Sequence, residues 1–163
     1  MLKIPKSQIP SKSECLSILT KNKTPFNVIE HCKAVCKVAE EIADRLISNG
    51  INLNKKLVIA ASLLHDIERE KKDHIEEGAK LIKSLGFPKV SEVIKKHSLY
   101  KVENPERQPK TYEEKIVFYA DKRVKGSQVV SLEERFADLK KRYDIDLTKE
   151  FEFSKKVEKE LFQ

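Results

Sequence analysis

The chain has few residues of the kinds that interrupt helices, with only four glycines and six prolines among 163 residues. This scarcity argues against a β-rich fold with many turns and favours helices. No apolar stretch is long enough to cross a bilayer, and the first ten residues lack the apolar core of a signal peptide. We therefore expect an all-α protein of one domain, located in the cytoplasm and without a membrane partner.

Cysteine is also scarce, and the three that occur, Cys15, Cys32 and Cys36, form no CxxC pair. An odd and sparse set predicts reduced thiols, as in cytoplasmic proteins, and excludes a disulfide framework. Cys32 and Cys36 lie one helical turn apart and could reach one metal ion. Packing as small apolar residues is the simpler interpretation, because no second pair of thiols lies near them.

Long runs of one charge are absent, although 36% of the residues are charged and the net charge is +7. A positive balance favours anionic partners such as phosphates. No Arg and aromatic residues alternate in the manner used to grip single strands, so nucleic acid is not the expected partner. Most of this charge is interpreted as solvated helix surface.

The rest of the chain is organised around one apolar run, Val58–Ile67, which contains His65 and Asp66 near its end. An apolar run without Gly or Pro predicts a buried helix. A carboxylate there is costly unless it is paired or binds a metal ion. The pair is thus either a set of metal ligands on a central helix or a helix end where Asp66 faces water.

Apolar periodicity and capping residues predict a single-domain bundle of about seven helices, including the central one. In chain order, the first expected helix is capped at Ser11 or Ser13 and extends through Leu19, the second runs from Thr24-Pro25 to near Ser48, and the central helix is capped by Asn52 or Asn54. The next helix is capped by Asp73, with Glu76 in a capping box, and another starts at Ser91. The last three run from Tyr112 to about Lys125, over Leu132–Tyr143 and over Thr148–Phe162. Residues 101–110 are expected to form a loop that serves as a rim or lid. The predicted boundaries are 1–25 for an arm and short helix, 26–143 for the main domain, and 144–163 for a C-terminal helix packed on it.

All four histidines fall on the apolar sides of different predicted helices, and two carboxylates have similar inward positions. These residues are His31, His65, Asp66, His74, His97 and Asp121. A single inward His is more often a hydrogen-bonded core residue than a ligand, but four such residues indicate one shared site. Imidazoles and carboxylates suit Fe, Mn, Zn or Co, and this number of ligands suits two metals with one Asp bridging them.

The order of these residues resembles that of the HD-domain superfamily of metal-dependent phosphohydrolases, including its HDIG-type members. Leu63–Ile67 is similar to the signature of that family, and three later segments are similar to its other ligand helices. Those segments are Asp73–Ala79, Val93–His97 and Lys115–Lys122. The resemblance covers roughly residues 26–143 and implies an all-α HD-domain bundle.

The resemblance also implies a ligand set and a pair of divalent transition metals, which could be Fe, Mn, Zn, Co or Ni. The first metal would be held by His31, His65, Asp66 and Asp121, and the second by Asp66, His74 and His97. Ser98 stands where many members have a second His, which argues against a third metal. Glu68 stands where the best-known signature has Gly, which weakens assignment to a named subgroup.

The activity implied by the resemblance is hydrolysis of a nucleotide or another phosphate ester or anhydride through a metal-activated hydroxide. His65 and Asp66 would be the catalytic centre, and a phosphorylated small molecule would be the substrate. The segment Glu114–Lys122 also resembles dinucleoside tetraphosphate hydrolases, which points to a nucleotide. Four basic residues near the predicted ligands are candidates for binding the substrate phosphate: Lys122, Arg69, Arg123 and Lys96.

Two alternatives remain open from the sequence. Some HD-type proteins are di-iron oxygenases, and the same His and Asp ligands would serve that chemistry. A non-catalytic module that binds a nucleotide is the other alternative, although such a module has no need for six converging ligands.

Overall fold

Eight α-helices dominate the fold in a computed structural model, which describes residues 9–99 and 102–163. They are α1 (Lys12–Lys21), α2 (Phe26–Ser48), α3 (Lys55–Leu64), α4 (His74–Ser84), α5 (Pro88–Lys95), α6 (Tyr112–Lys122), α7 (Leu132–Tyr143) and α8 (Thr148–Leu161). The predicted all-α class is confirmed. The arm at residues 1–8 and the start of the 101–110 loop lie outside the described residues. No helix within the described ranges is long and apolar enough to span a membrane.

Helix α3 lies at the centre of the core, as its apolar run predicts. It packs against α1, α2, α5 and α6, and its small residues Ala60 and Ala61 are completely buried. The helix ends at Leu64, so His65 is its C-cap and Asp66 lies in the following turn. Asp66 is buried, which rules out the interpretation that it simply faces water at a helix end.

Helix α2 places its apolar stripe against this core. Val35, Ala39 and Ile42 are buried, and His31 precedes Val35 by about one turn on the same face. The helix ends as predicted, because Gly50 has a φ of 89° that only glycine adopts readily.

The hydroxyl of Thr24 does not cap α2, contrary to the sequence prediction. It donates to the main-chain carbonyl of Ile67 (3.2 Å), and the amide of Asn22 donates to the same oxygen (3.3 Å). These two bonds fix the turn that follows α3, and Pro25 occupies the N-cap position of α2 instead.

The predicted start of α4 is confirmed, because Asp73 occupies its N-cap position, but the predicted capping bonds are absent and the predicted start of α5 is wrong. Asp73 makes no side-chain capping bond to α4, and Glu76 pairs with Arg107 (2.6 Å) rather than completing a capping box. Helix α5 begins at Pro88, and Ser91 lies inside it. The Ser91 hydroxyl donates to the carbonyl of Ala79 (2.6 Å), a bond that joins α5 to α4.

The chain leaves α6 three residues earlier than predicted and enters a short antiparallel pair, β1 (Val124–Lys125) and β2 (Gln128–Val129). Gly126 makes the turn between the strands with a φ of 63°. Helix α8 then packs on α6, where the rings of Phe118 and Phe153 meet edge to face at 5.5 Å.

All three cysteines are buried free thiols. Burial raises the pKa of Cys15 and Cys36 to about 12, and the Cys36 thiol donates to Glu40 (3.4 Å). Among the described residues, no cysteine belongs to a group of side chains that could hold a metal. This placement matches the interpretation of these cysteines as packed core residues.

The Thr24 contact gives a prediction about stability. Replacing Thr24→Val removes the hydroxyl while keeping the shape, and should lower the free energy of unfolding by about 1 kcal/mol, the usual net contribution of one hydrogen bond. Urea unfolding measures the change. Thr24→Ser keeps the hydroxyl and should lose less. A loss in Thr24→Ser together with no loss in Thr24→Val would show that the methyl group, and not the bond to Ile67, is what stabilises the turn.

Candidate metal centre

Six side chains from five helices or their ends meet in one place. His31 comes from α2, His65 and Asp66 from the end of α3, and Asp121 from α6, while His74 begins α4 and His97 follows α5. They form two groups able to hold a metal ion, namely His31, His65, Asp66 and Asp121, and then Asp66, His74 and His97. The membership of the two groups is the same as that of the two ligand sets implied by the family resemblance, and Asp66 belongs to both.

The first group is the tighter of the two. Oδ1 of Asp121 lies 3.1 Å from Nε2 of His31 and 3.2 Å from Nε2 of His65. Oδ2 of Asp66 lies 3.6 Å and 3.5 Å from the same two nitrogens. Two carboxylates and two imidazoles thus face one another, and their ligand atoms all lie within 4.8 Å of one another.

The second group uses the other oxygen of Asp66. Its Oδ1 lies 3.5 Å from Nε2 of His97 and 4.0 Å from Nε2 of His74. One carboxylate therefore divides its two oxygens between two sets of imidazoles, which is the arrangement of a bridging ligand.

Backbone carbonyls fix the orientation of three of the imidazoles. The Nδ1 atoms of His31, His65 and His97 donate to the carbonyl oxygens of Gly126 (2.7 Å), Ser62 (2.7 Å) and Ile94 (2.6 Å). A carbonyl only accepts, so Nδ1 carries the proton, and a neutral ring presents a lone pair at Nε2. That lone pair faces a carboxylate, which is unfavourable unless a cation lies between them. These residues fit a metal ion, because metal-binding histidines usually donate their second nitrogen in this way.

The pKa values at the site show the same need for positive charge. Burial by itself would lower the pKa of His65, but the carboxylates of Asp66 and Asp121 outweigh it and raise that pKa well above its usual value. Burial would raise the pKa of Asp121, yet Lys122 and the two imidazoles hold it well below its usual range. Burial would likewise raise the pKa of Asp66, but His65 and His97 hold it below its usual range, so both acids are anions in a buried place.

His74 differs from the other three histidines. Its side chain is the most exposed of the four, at 23% against 14% for His31, burial lowers its pKa, and its Nε2 lies 3.2 Å from a guanidinium nitrogen of Arg69. A cation bound by the second group would compete with Arg69 for this nitrogen.

Of the four predicted phosphate-binding residues, the structure brings two to the site. Arg69 and Lys122 line the cavity above the metal groups. Lys122 is buried, and its Nζ donates to Oδ2 of Asp121 (2.6 Å) and to the carbonyl of His97 (2.8 Å). Lys122 therefore orients Asp121 so that the other oxygen faces the imidazoles.

The other two basic residues lie elsewhere. Lys96 pairs with Glu114 (3.0 Å), and Arg123 donates to the Tyr119 hydroxyl (2.7 Å) and the Val130 carbonyl (2.6 Å). Neither is among the described residues that line the cavity. Their side chains hold helices and the hairpin together.

The cavity has a volume of about 660 Å³, and part of its wall was missed from the sequence. Helix α7 supplies Arg135, Leu139 and Arg142, and the start of α2 supplies Phe26. The spacing of four and three residues along α7 puts its three side chains on one face, which was the available signal. The described residues 102–110, predicted as a rim or lid, do not line the cavity.

Comparison with known proteins agrees with this geometry. The family model described as HD domain matches residues 28–124, which is more than half of the chain. An uncharacterized protein of Methanocaldococcus jannaschii is 34% identical over 143 residues, covering 79% of this chain and 84% of its own length. No solved structure is significantly similar.

Two further relatives are named tRNA (cytidine(56)-2'-O)-methyltransferase. The protein of Picrophilus torridus is 31% identical over 140 residues and that of Thermoplasma volcanium 32% over 142 residues. The alignments cover 77% and 75% of this chain but only 40% of either relative, so these relatives are much longer proteins. The family match and the M. jannaschii alignment, taken with the helical fold, show that this chain belongs to the HD domain family.

Proposed function

We propose that this protein is a metal-dependent phosphohydrolase that acts on a nucleotide or another phosphate ester or anhydride. The single observation that carries the proposal is the position of Asp66, whose two oxygens face two different groups of imidazoles. Two cation sites that share one carboxylate are typical of enzymes that transfer phosphoryl groups. HD domains are typically metal-dependent hydrolases, which supports the same reaction class.

The ligands suit Fe, Mn, Zn, Co or Ni. A bound pair of such ions would lower the pKa of a water molecule and neutralise charge on the attacking and leaving oxygens of a phosphate. In this proposal His31, His65 and Asp121 hold the first ion, His74 and His97 hold the second, and Asp66 is shared. The backbone carbonyls behind the imidazoles and the ammonium of Lys122 keep these side chains in place.

Basic residues on the cavity wall would bind the substrate phosphate. Arg69 projects from the turn after α3, and Arg135 and Arg142 project from α7. Nε of Arg135 donates to the carbonyl of Val124 (3.0 Å), which anchors the side chain along the wall. A guanidinium binds phosphate oxygens in a fork, so these residues suit an anionic substrate better than isolated lysines would.

The methyl transfer in the names of two relatives is not proposed for this chain, since those names describe much longer proteins. Because both names refer to tRNA, RNA that bears a phosphate group is also a candidate substrate. Oligonucleotides with terminal and cyclic phosphates therefore belong in the substrate panel beside mononucleotides and dinucleotides.

The proposal is tested by purifying the chain without chelators, measuring its metal content, and screening phosphate monoesters, diesters, anhydrides and RNA ends. Each reaction is run with added Mn, Fe, Co, Ni or Zn. We expect turnover of at least one phosphate compound, lost with EDTA and restored by metal. A metal-loaded protein that turns over none of them contradicts the proposal.

The shared carboxylate gives a prediction for metal content. His74→Ala should reduce binding from about two ions per chain to about one, because His74 belongs only to the second group. Asp66→Ala should reduce both sites. Elemental analysis after dialysis measures the stoichiometry. Asp73→Ala is the matched control, because Asp73 precedes His74 and belongs to neither group; equal loss in the control would contradict the assignment.

The arginines of α7 give a prediction for substrate binding. Arg142→Gln and Arg135→Gln should each raise KM by about tenfold with kcat nearly unchanged, since a charge-assisted bond contributes roughly 1.5 kcal/mol or more. Steady-state kinetics on the best substrate measures both constants. Arg45→Gln removes the same charge from α2, where Arg45 lies over the ring of Phe162. A similar rise in that control would mean that net charge, rather than contact, controls KM.

A further inference from the structure

Phe26 is an exposed aromatic residue at the edge of the cavity. Its side chain is 77% exposed, the highest fraction among the exposed large hydrophobic residues of the described chain. It is the first residue of α2 and lines the same cavity as His31, Asp66 and Asp121. Phe26 thus lies where the cavity of the candidate metal centre meets solvent.

This exposure has no structural explanation within the described fold. A phenylalanine ring left in water lacks the roughly 1.5–3 kcal/mol of free energy by which full burial would stabilise the fold. Five other phenylalanines, Phe118, Phe136, Phe151, Phe153 and Phe162, pack against aromatic rings. Val28, two residues after Phe26, is buried, so α2 places its apolar stripe on another face.

We propose that Phe26 is a stacking surface for the nucleobase of a nucleotide substrate whose phosphate reaches the metal centre. The inference deepens the proposed function and rests on it. His31 lies on the same helix, about 7.5 Å further along the axis. Both residues line the same cavity, so a nucleotide that fills it would contact Phe26 and approach His31.

The neighbours of Phe26 suit a nucleobase. Asn27 and Glu30 line the same cavity, and an amide and a carboxylate can pair with the donors and acceptors at a base edge. Leu139 adds apolar surface from α7. A planar polar ring matches these surroundings better than an aliphatic phosphate ester does.

A fluorescence experiment tests the stacking directly, because the chain contains no tryptophan. Phe26→Trp introduces a single reporter, which is titrated with each common ribonucleotide as mono- and triphosphate. We expect saturable quenching by at least one nucleotide and none by ribose 5-phosphate or inorganic triphosphate. Tyr112→Trp is the control, since Tyr112 is exposed but does not line the cavity. Absence of quenching by every nucleotide, or equal quenching in the control, overturns the proposal.

Kinetics supply an independent test. Phe26→Ala should raise KM for the preferred nucleotide by about tenfold or more, the usual effect of losing one base–aromatic stack. Metal content and kcat should be unchanged, Phe26→Tyr should restore KM, and KM for a phosphate without a ring should not move. Unchanged KM for the nucleotide would show that Phe26 has no role in binding it.

The two tests separate failure of this inference from failure of the proposed function. Quenching in the Phe26→Trp variant without turnover of any phosphate would retain the stacking surface and reject the hydrolase. Metal-dependent turnover that is indifferent to the ring at position 26 would retain the hydrolase and reject the stacking surface.

Discussion

The buried negative charge of Asp66 and Asp121 is the constraint on which this structure depends. Two carboxylates held as anions at the centre of a helical core are costly unless positive charge compensates them. In the part of the chain that the structure describes, the buried ammonium of Lys122 donates to Asp121, and four imidazoles surround the two acids. The negative charge that Lys122 does not neutralise would be neutralised by a bound cation. The packing of the core therefore favours cation binding at the cavity.

The helices are arranged so that this site exists only in the folded chain. Its ligands come from α2, α4 and α6 and from the ends of α3 and α5, and the small residues of α3 allow its neighbours to approach closely. Contacts around the site also keep its elements in place. Thr24 and Asn22 fix the carbonyl of Ile67 directly after the His-Asp pair, and Ser91 ties α5 to α4. The packing of the helices and the arrangement of the candidate ligands therefore rely on the same contacts.

The inward histidines could be predicted because helical periodicity places a residue relative to its own apolar stripe. The direction of the residues next to a ligand in the chain was harder to predict, because neighbouring side chains on a helix point about 100° apart. Lys96 and Arg123 accordingly face Glu114 and Tyr119. The spacing along α7 places its two arginines on one face, but nothing local shows whether that face is turned to solvent or to a cavity. The sequence around Thr24 predicts a helix cap, because the bonding partner in the fold, the carbonyl of Ile67, is remote in sequence.

The bond between His31 and the hairpin has a consequence for how this centre is tuned. The imidazole donates to the carbonyl of Gly126, which lies 95 residues away along the chain in a tight turn that favours glycine. Hydrogen bonding at this nitrogen makes the opposite nitrogen more basic. Small adjustments in the pitch of the turn therefore alter the electron-donating strength of His31 while every side chain of the centre stays the same. The backbone geometry of two short strands thus affects the strength of His31 as a ligand.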